Sequence, residues 1–353
     1  MQKKLIAMAV AGLVSGAAFA QSNVTVYGIA DVFYGRATAD GAKTTNVINS
    51  SGLSGSRIGF KGTEDLGNGL SAIFTLEYGL NVDSAGSVSS WAGSARQQFV
   101  GLTGGFGTVV AGGLQTAGYD FAGANNPLAG SVLNPYEKVG ASALLSHTQA
   151  GRASNAFAYI SPDFGGAKIA YNHARVSENV PAVPSSASPG KENYANLLAV
   201  SYANGPIGAN AIYSKISMAS TSASDDVVEW GLGGSYDFKV AKVGAQYQSY
   251  DNKAIDSKDN KWGISAAIPA GPAGTVVAEY AKSKIKQDGA TTLNNDVKSW
   301  TVAYTHGLSK RTTAYAGYNR VTNGSDGAAA STIAPVTLGG KSSTLAFGLR
   351  HSF

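Results

Sequence analysis

Apolar and polar residues alternate with a period of two along many short segments of this chain. The segment 71–78 reads SAIFTLEY, with Ala, Phe, Leu and Tyr at one parity and mainly Ser, Thr and Glu at the other. The last segment, 344–353, alternates in the same way and ends in the aromatic residue Phe353. Alternation of this kind is typical of β-strands that present one apolar face and one polar face.

Two kinds of connection separate these segments, and the two kinds alternate along the chain. Short connections such as 66–69 contain Gly, Asn or Pro, which form tight turns at low strain. Longer polar connections lie between them, among them 37–54 and the longest, at about 115–151. Seven short turns and eight long connections thus join sixteen predicted strands. We place the strands at roughly 23–36, 55–65, 69–80, 95–104, 107–114, 152–162, 166–176, 193–204, 207–216, 226–238, 240–251, 259–269, 274–285, 296–307, 311–322 and 341–353.

The first twenty residues, 1–20, are predicted to be a signal peptide. Lys3 and Lys4 precede a run of small and aliphatic residues, and residues 18–20 read AFA, the A-x-A pattern of a cleavage site. The apolar run is too short, and too closely followed by polar residues, to be a spanning helix. We therefore expect export and cleavage between Ala20 and Gln21; an uncleaved anchor is the alternative.

The length of the mature chain agrees with a closed barrel of sixteen strands. A membrane-spanning strand needs ~9–11 residues, and residues 21–353 supply about 21 residues for each strand and its connection. Eight strands would leave about 42 residues for each, and twenty-two about 15, and both values fit the spacing of the turns less well. In hydrocarbon every backbone N–H and C=O must be paired within the protein, so the sheet must close. The prediction is an all-β, antiparallel transmembrane β-barrel with Phe353 at the membrane interface.

Composition excludes several other classes of protein. The chain has no cysteine, which excludes a disulfide-stapled domain and Cys-ligated metal sites. Only 14% of residues are charged, against roughly 25% in soluble domains, and Ser, Thr, Gly, Asn and Gln dominate the polar faces, as suits a wet lumen. Without Lys3 and Lys4, 25 basic and 22 acidic residues leave a net charge of +3, which gives no support for nucleic-acid binding. A soluble β-sandwich or a pair of jelly-roll domains is the structural alternative.

Several stretches resemble one known family, the trimeric general porins of beta-proteobacteria. They are SNVTVYGIADV (22–32), GSRIGFKGTEDLGNGLSAIFTLE (55–77), RQQFVGLTGGFGTVVAGG (96–113), YISPDFGG (159–166), GLSKRTTAYAGY (307–318) and GLRHSF (348–353). The resemblance implies a homotrimer of 16-stranded barrels in the outer-membrane lipid, each with a third extracellular loop folded inward to narrow the pore. It also implies passive diffusion of ions and small hydrophilic solutes.

The long connection 115–151 is the third long loop in order, and the resemblance identifies it as the constriction loop. Loops beyond ~12–15 residues without their own structure are usually functional. Its charges are few: Asp120, Glu137, Lys138 and His147. The porin constriction loop tends to carry more acids, so a strongly cation-attracting loop face is not expected here.

Basic residues on the barrel wall are expected opposite this loop. Alternation with Ile58 and Phe60 directs Arg57 and Lys61 into the lumen, and it directs Arg152 inward as well. Arg96 shares the parity of outward residues, so a bulge or a strand start must intervene before it can face inward. By resemblance, Arg57, Arg96 and Arg152 match the arginines that form the positive side of a porin constriction. Glu77, which faces inward by alternation, matches an acidic partner that holds such arginines in place.

Such a cluster predicts a passive channel with modest preference for small anions. One unit charge ~4 Å from an ion is worth about 1 kcal/mol in bulk water, and a tenfold ion preference needs only about 1.4 kcal/mol. The four histidines lack metal-ligand spacing, and no catalytic or cofactor-binding motif is present, so neither an enzyme nor a cofactor is expected. A substrate-specific channel, an adhesin and a barrel enzyme are the functional alternatives.

Overall fold

The computed structural model describes residues 23–84, 95–175, 193–217, 226–287, 295–329, 333 and 336–353. Seventeen β-strands and one short α-helix, α1, are found in these residues. None of the helices among them has the length and apolar character needed to cross a membrane. The elements are β1 Asn23–Ala39, β2 Thr45–Ser50, β3 Arg57–Gly67, β4 Leu70–Gly79, β5 Ala95–Gly104, β6 Gly107–Gln115, α1 Ala117–Ala124, β7 Arg152–Ile160, β8 Ala167–Arg175, β9 Tyr194–Asn204, β10 Ile207–Ser217, β11 Val227–Asp237, β12 Lys242–Asn252, β13 Ser257–Ala270, β14 Gly274–Gln287, β15 Val297–Gly307, β16 Thr312–Asn323 and β17 Lys341–Ser352.

The sheet closes on itself through its first and last strands. Each strand from β3 onward pairs antiparallel with the next, and β17 pairs with β1 from Ile29↔Ser352 to Ala39↔Ser342. Backbone N–H groups of Gly28 and Phe353 each donate to the carbonyl of the other and complete the seam. Closure through this seam leaves neither the first nor the last strand with a free edge, as a sheet in hydrocarbon requires.

Strands β2 and β3 together occupy a single strand position in the barrel wall. Both pair with the same edge of β1: β2 along Val32–Ala37 and β3 along Asn23–Ile29. Six residues, 51–56, leave the ladder between them. The wall thus has sixteen strand positions, which confirms the predicted count. The prediction that 37–54 is wholly a connection is wrong, because this segment contains β2.

The two faces of the wall differ in chemistry as the alternation predicts. In β15, Ser299 and Thr301 are buried on the inner face while Trp300 and Val302 are exposed on the outer face. An outward aromatic band crosses neighbouring strands, with ring centroids 5.3–5.4 Å apart in the pairs Trp230–Tyr247, Trp262–Tyr280 and Trp300–Tyr318. Aromatic girdles of this kind mark the membrane interface of outer-membrane barrels.

The segment between β6 and β7 packs against the inner face of the wall. It contains α1, and three-residue 3₁₀ turns at Tyr136–Lys138 and Gln149–Gly151. Its apolar residues join three separate clusters with inward side chains of the wall. Phe121 packs with β7–β10, Leu133 with β14–β17, and Val139 with β14–β16. One continuous stretch of chain therefore contacts strands on well-separated parts of the barrel.

Candidate pore site

Glu77 is the centre of a charged cluster on the wall. Its buried carboxylate accepts from Arg96 Nε at 2.7 Å and from the Tyr27 hydroxyl at 3.0 Å, and it lies 3.7 Å from Arg57. Arg57 also donates from Nε to the carbonyl of Gly55 at 2.9 Å. Charge-assisted bonds of this kind fix the direction of the guanidinium groups.

Arg96 reaches the cluster because β5 carries one extra residue at this place. Glu77 pairs with Gln97, but the next pair is Tyr78 with Ala95, so Arg96 is left without a partner in the register. Farther along β5, Val100 and Leu102 are exposed outward. An uninterrupted strand would aim Arg96 the same way, and the bulge turns it to the inside.

Arg152 is placed by local contacts rather than by strand alternation. β7 also carries an extra residue, since Gly112 pairs with Ala156 but Leu114 pairs with Ala153, and Asn155 adopts φ 51°. The argument from alternation therefore does not carry through to Arg152. Its guanidinium instead stacks 4.4 Å from the ring of Tyr119 on α1 and donates to the carbonyl of Thr148 at 3.0 Å.

Tyr119 contacts two nitrogen-containing side chains, Arg152 and His147. The His147 ring lies 3.8 Å from the ring of Tyr119, and His147 Nδ1 lies 3.1 Å from the Tyr119 carbonyl oxygen. Since a carbonyl only accepts, that nitrogen carries the proton. Burial lowers the pKa of His147 below its usual 6.5, with a further contribution from Arg152, so the ring is neutral at pH 7. The stack of His147, Tyr119 and Arg152 therefore adds one positive charge to the cluster, that of Arg152.

A cavity of about 440 Å³ joins the wall cluster to the loop. Arg57, Arg96 and Arg152 line it from the wall, and Glu137 and Lys138 line it from the loop. Glu137 is occupied by the loop itself, accepting from Ser146 Oγ at 2.9 Å and His147 N at 2.7 Å. Three guanidinium groups less the Glu77 carboxylate give a formal charge of +2, and Lys138 and Glu137 cancel.

Three residues predicted for the pore constriction lie outside this cavity lining: Glu77, which contacts it through Arg57 and Arg96, and the exposed residues Asp120 and Lys61. Asp120 is exposed on α1 and accepts from Gln115 Nε2 at 2.6 Å. Lys61 is exposed and lies 5.4 Å from the ring of Tyr27, so it touches the cluster only through that ring. Ala20 and Gln21, the predicted cleavage residues, lie outside the described residues, and the signal peptide stays a prediction.

Buried wall carboxylates hold the loop through its backbone. Glu229 accepts from the N–H groups of Ala143 at 2.7 Å and Leu144 at 2.8 Å, and Glu279 accepts from Leu128 N at 2.9 Å. Farther along the wall, Asp259 accepts from Ala141 N and Lys261 Nζ donates to Ser142 Oγ at 2.6 Å. These contacts give buried polar groups of the wall hydrogen-bond partners on the loop.

A further anchor uses the break between β2 and β3. The buried Asp31 carboxylate accepts from Gly52 N at 3.1 Å and from the backbone N–H groups of Leu53 and Ser54 at 2.8 Å. The carbonyl of Gly52 in turn accepts from Ser131 Oγ and Val132 N, each at 2.9 Å. The segment 51–56, which leaves the wall ladder, therefore binds the loop through hydrogen bonds to Gly52.

Sequence reasoning did not single out these anchoring residues, nor the aromatic rings of Tyr27 and Tyr119 that contact basic side chains. A signal was present for the wall acids: Glu229, Asp259 and Glu279 occur at inward parity, opposite to that of the outward aromatic residues on the same strands. A charge at a lumen position can equally be solvated, so parity alone does not reveal that it is buried under a loop. Among the described residues no cluster of His, Asp or Glu has the geometry of a metal site.

A sequence profile for Gram-negative porins matches residues 7–326. This chain belongs to the Gram-negative porin family. Outer membrane porin protein 32 of Delftia acidovorans is 32% identical in a gapped alignment of length 327 that covers 89% of this porin and 88% of the relative. An outer membrane porin protein of Bordetella pertussis is 28% identical in a gapped alignment of length 365 that covers 90% of this porin and 93% of the relative. The predicted family and outer-membrane location are thereby confirmed.

Solved porin structures share the barrel. An anion-selective porin from Comamonas acidovorans superposes with a TM-score of 0.78 at 27% identity, covering 94% of this porin and all of that chain. OmpT of Vibrio cholerae, in a structure described as a trimer form, gives a TM-score of 0.64 at 14% identity over 94% of this porin and 99% of that chain, a likeness of fold alone. The chain is thus an outer-membrane diffusion channel and not an enzyme.

Proposed function

We propose that this porin conducts small anions and small hydrophilic solutes with a modest preference for anions, and that Arg57, Arg96 and Arg152 set that preference. The observation that carries the proposal is the cavity between wall and loop. Three guanidinium groups line it, the Glu77 carboxylate binds two of them from behind, and the charges of Glu137 and Lys138 cancel. The anion-selective porin from Comamonas acidovorans adds support through its 27% identity over the whole barrel.

The arginines are oriented but not neutralised. Glu77 engages Arg96 closely and Arg57 at a longer 3.7 Å, while Arg152 rests on a neutral aromatic ring. A passing anion therefore meets a fixed positive potential from the three guanidinium groups. Salt will weaken the effect, because the Debye length is about 10 Å at 0.1 M.

The reversal potential in a KCl gradient across a planar bilayer tests this proposal. Replacing Arg57, Arg96 and Arg152 together by Ala turns the formal charge of the wall cluster from +2 to −1, so the anion preference should fall by tenfold or more, about 1.4 kcal/mol. The matched control replaces three guanidinium groups outside the cavity lining: Arg36→Ala, Arg311→Ala and Arg320→Ala. Cation selectivity in the unmodified protein, or an equal loss in the control, would overturn the proposal.

The second part of the proposal is that the loop 115–151 narrows the conducting path. It is supported by the loop's contacts with β7–β10 and β14–β17, because these lie on inward faces of well-separated strands. The absence of cysteine makes a thiol test free of background. Ala129→Cys, beside the arginines, should give a stepwise current decrease with a charged thiosulfonate, and the outward Ala316→Cys should give none. Equal, unaffected currents in both variants would refute a narrowing loop.

The third part is assembly as a homotrimer in outer-membrane lipid. It is supported by the trimer form described for the OmpT barrel and by an outer face rich in exposed apolar side chains, which needs lipid or a second subunit against it. Chemical cross-linking of detergent-purified protein should give dimer and trimer bands and nothing larger. A monomer that conducts in bilayers would disprove the trimer and leave the channel proposal intact.

A further inference from the structure

An apolar groove lies on the outer surface of the wall, away from the pore. Its cavity volume is about 430 Å³, and it crosses β13, β14 and β15. Small side chains, Ala266 and Ala278, form its floor, and larger ones rise on either side. The remaining outward residues of its lining are Val243, Ile264, Tyr280, Trp300 and Val302.

Two lysines stand directly above the groove on the same strands. The register pairs Ala278 with Val302, then Tyr280 with Trp300, then Lys282 with Lys298. Since alternate residues share a face and each rises about 3.3 Å, these outward pairs follow one another at about 7 Å intervals. The surface therefore passes from an apolar groove through an aromatic pair to a pair of cations.

More positive charge lies farther up the same strands. Lys284 and Lys286 continue the outward row of β14, and Lys258 lies opposite Lys286 in the register. Two aspartates oppose the patch: Asp296 lies 3.3 Å from Lys282, and Asp251 lies 3.5 Å from Lys258. Five lysines less these two aspartates leave a formal charge of +3 on the described residues of the patch.

The end of the barrel that carries this patch faces the cell exterior. The connection after β14, between Gln287 and Val297, belongs to the long type, whereas β13 and β14 are joined at the other end by the short turn 271–273. Outer-membrane barrels have short periplasmic turns and long extracellular loops. The aromatic pair then lies at the outer interface, and the lysines lie at the level of the lipid headgroups.

We propose that this groove and the lysines above it form a specific binding site for an acylated lipid of the outer leaflet with phosphate on its headgroup. An acyl chain lies over Ala266 and Ala278 between the larger side chains, and a phosphate group binds between Lys282 and Lys298. The charge of the patch selects an anionic over a neutral headgroup, because cations near a membrane surface attract anionic lipid. The shape of the groove selects a lipid over a free anion.

Binding of bisphosphorylated lipid A to the mature porin in neutral detergent, followed by native mass spectrometry, tests the site. Lys282→Gln with Lys298→Gln should weaken binding about 30-fold, since each cation near the surface contributes about fivefold. Ala278→Trp, which fills the groove, should weaken binding with both lysines present; Ala278→Leu is the milder version if the tryptophan variant fails to fold. Single-channel conductance should stay unchanged in all these variants, which shows that the barrel is intact.

The matched control removes two lysines from the periplasmic turns, Lys239→Gln with Lys310→Gln, and should bind lipid A as the unmodified protein does. Raising the KCl concentration should weaken binding to the unmodified protein and have less effect on the Lys282/Lys298 variant. Three results would overturn the proposal: equal binding of a dephosphorylated lipid A, displacement of the lipid by an equimolar amount of sodium phosphate, or unchanged affinity in the Lys282/Lys298 variant.

Discussion

Arg96 donates from Nε to Oε1 of Glu77 over 2.7 Å, and it does so from the one residue of β5 that is skipped in the ladder with β4. The bulge and the ion pair depend on each other. The bulge turns the side chain inward, and the buried carboxylate gives the turned guanidinium a partner. Glu77 therefore orients the positive wall of the site and at the same time reduces its charge by one.

Removing the charge of Glu77 while keeping its shape should increase anion selectivity. Glu77→Gln changes the formal charge of the wall cluster from +2 to +3, and its amide oxygen can still accept from Arg96. The added preference is about 1 kcal/mol, or about fivefold in the chloride-to-potassium permeability ratio. The reversal potential in a KCl gradient measures this ratio.

Glu64→Gln is the matched control, since Glu64 is exposed on β3 and does not line the cavity. It should leave the permeability ratio unchanged. A ratio that falls in Glu77→Gln would show that orienting the arginines matters more than the charge that Glu77 removes.

The aromatic ring of Tyr119, on which Arg152 stacks, can be tested separately from the hydroxyl group of Tyr119. Tyr119→Phe keeps the aromatic face that Arg152 stacks on at 4.4 Å, whereas Tyr119→Leu removes it. A cation–π contact at a solvent-accessible site contributes about 0.5–1 kcal/mol. Anion selectivity should therefore persist in Tyr119→Phe and fall by about twofold to fivefold in Tyr119→Leu, as measured by the reversal potential. Equal selectivity in the two variants would show that the ring does not position Arg152.

Much of the barrel follows from alternation, because the two sides of the wall meet different solvents. The strand that holds Trp300 and Ser299 could be placed, and its faces assigned, from residue type alone. The division of one strand position into β2 and β3 could not be predicted from residue type, because it depends on Asp31 binding the backbone of residues 52–54. That interaction joins residues twenty or more positions apart in a connection with no periodic pattern.

The site shows the same division. Arg57 is directed inward by ordinary alternation, and sequence alone suffices for it. For Arg96, parity predicts only that an irregularity must exist, and its register position comes from the structure. For Arg152, parity points to the lumen, but β7 has its own irregularity near Asn155, so the placement depends on contacts with the loop. Bulges shift parity by one residue, and such shifts leave no clear trace in residue type.

Lys138 should make selectivity depend on pH. Burial lowers the pKa of Lys138 to about 8, although the charge of Glu137 acts in the opposite direction. The lysine is mostly charged at pH 7 and mostly neutral at pH 9, whereas the arginines that share its cavity keep their charge and His147 is neutral throughout. Anion preference should therefore decline as pH rises from 7 to 9, by up to about fivefold for one lost charge.

Reversal potentials recorded at pH 7, 8 and 9 measure this decline. Lys138→Met removes the titrating group, so its selectivity should be low and constant over the same range. A decline of equal size in Lys138→Met would assign the titration to another residue.

Gly140 allows the anchoring of the loop to be tested apart from backbone strain. Its φ is +68°, and a Cβ at this position would overlap Oδ2 of Asp259, the oxygen that accepts from Ala141 N. Gly165 has nearly the same φ, +70°, with no atom near its Cβ position. Gly140→Ala and Gly165→Ala therefore impose similar backbone strain, and only the first displaces the carboxylate from the loop.

Both variants should lose about 1–2 kcal/mol of unfolding free energy from the left-handed backbone. Gly140→Ala should lose a further 1–3 kcal/mol or so, since a displaced Asp259 leaves the partly buried N–H of Ala141 without that partner. Urea unfolding in detergent micelles measures the difference. The open-channel current should also become noisier in Gly140→Ala alone, because the loop is released on the side that faces β13. Equal destabilisation and equally quiet currents in both variants would mean that Asp259 does not hold the loop.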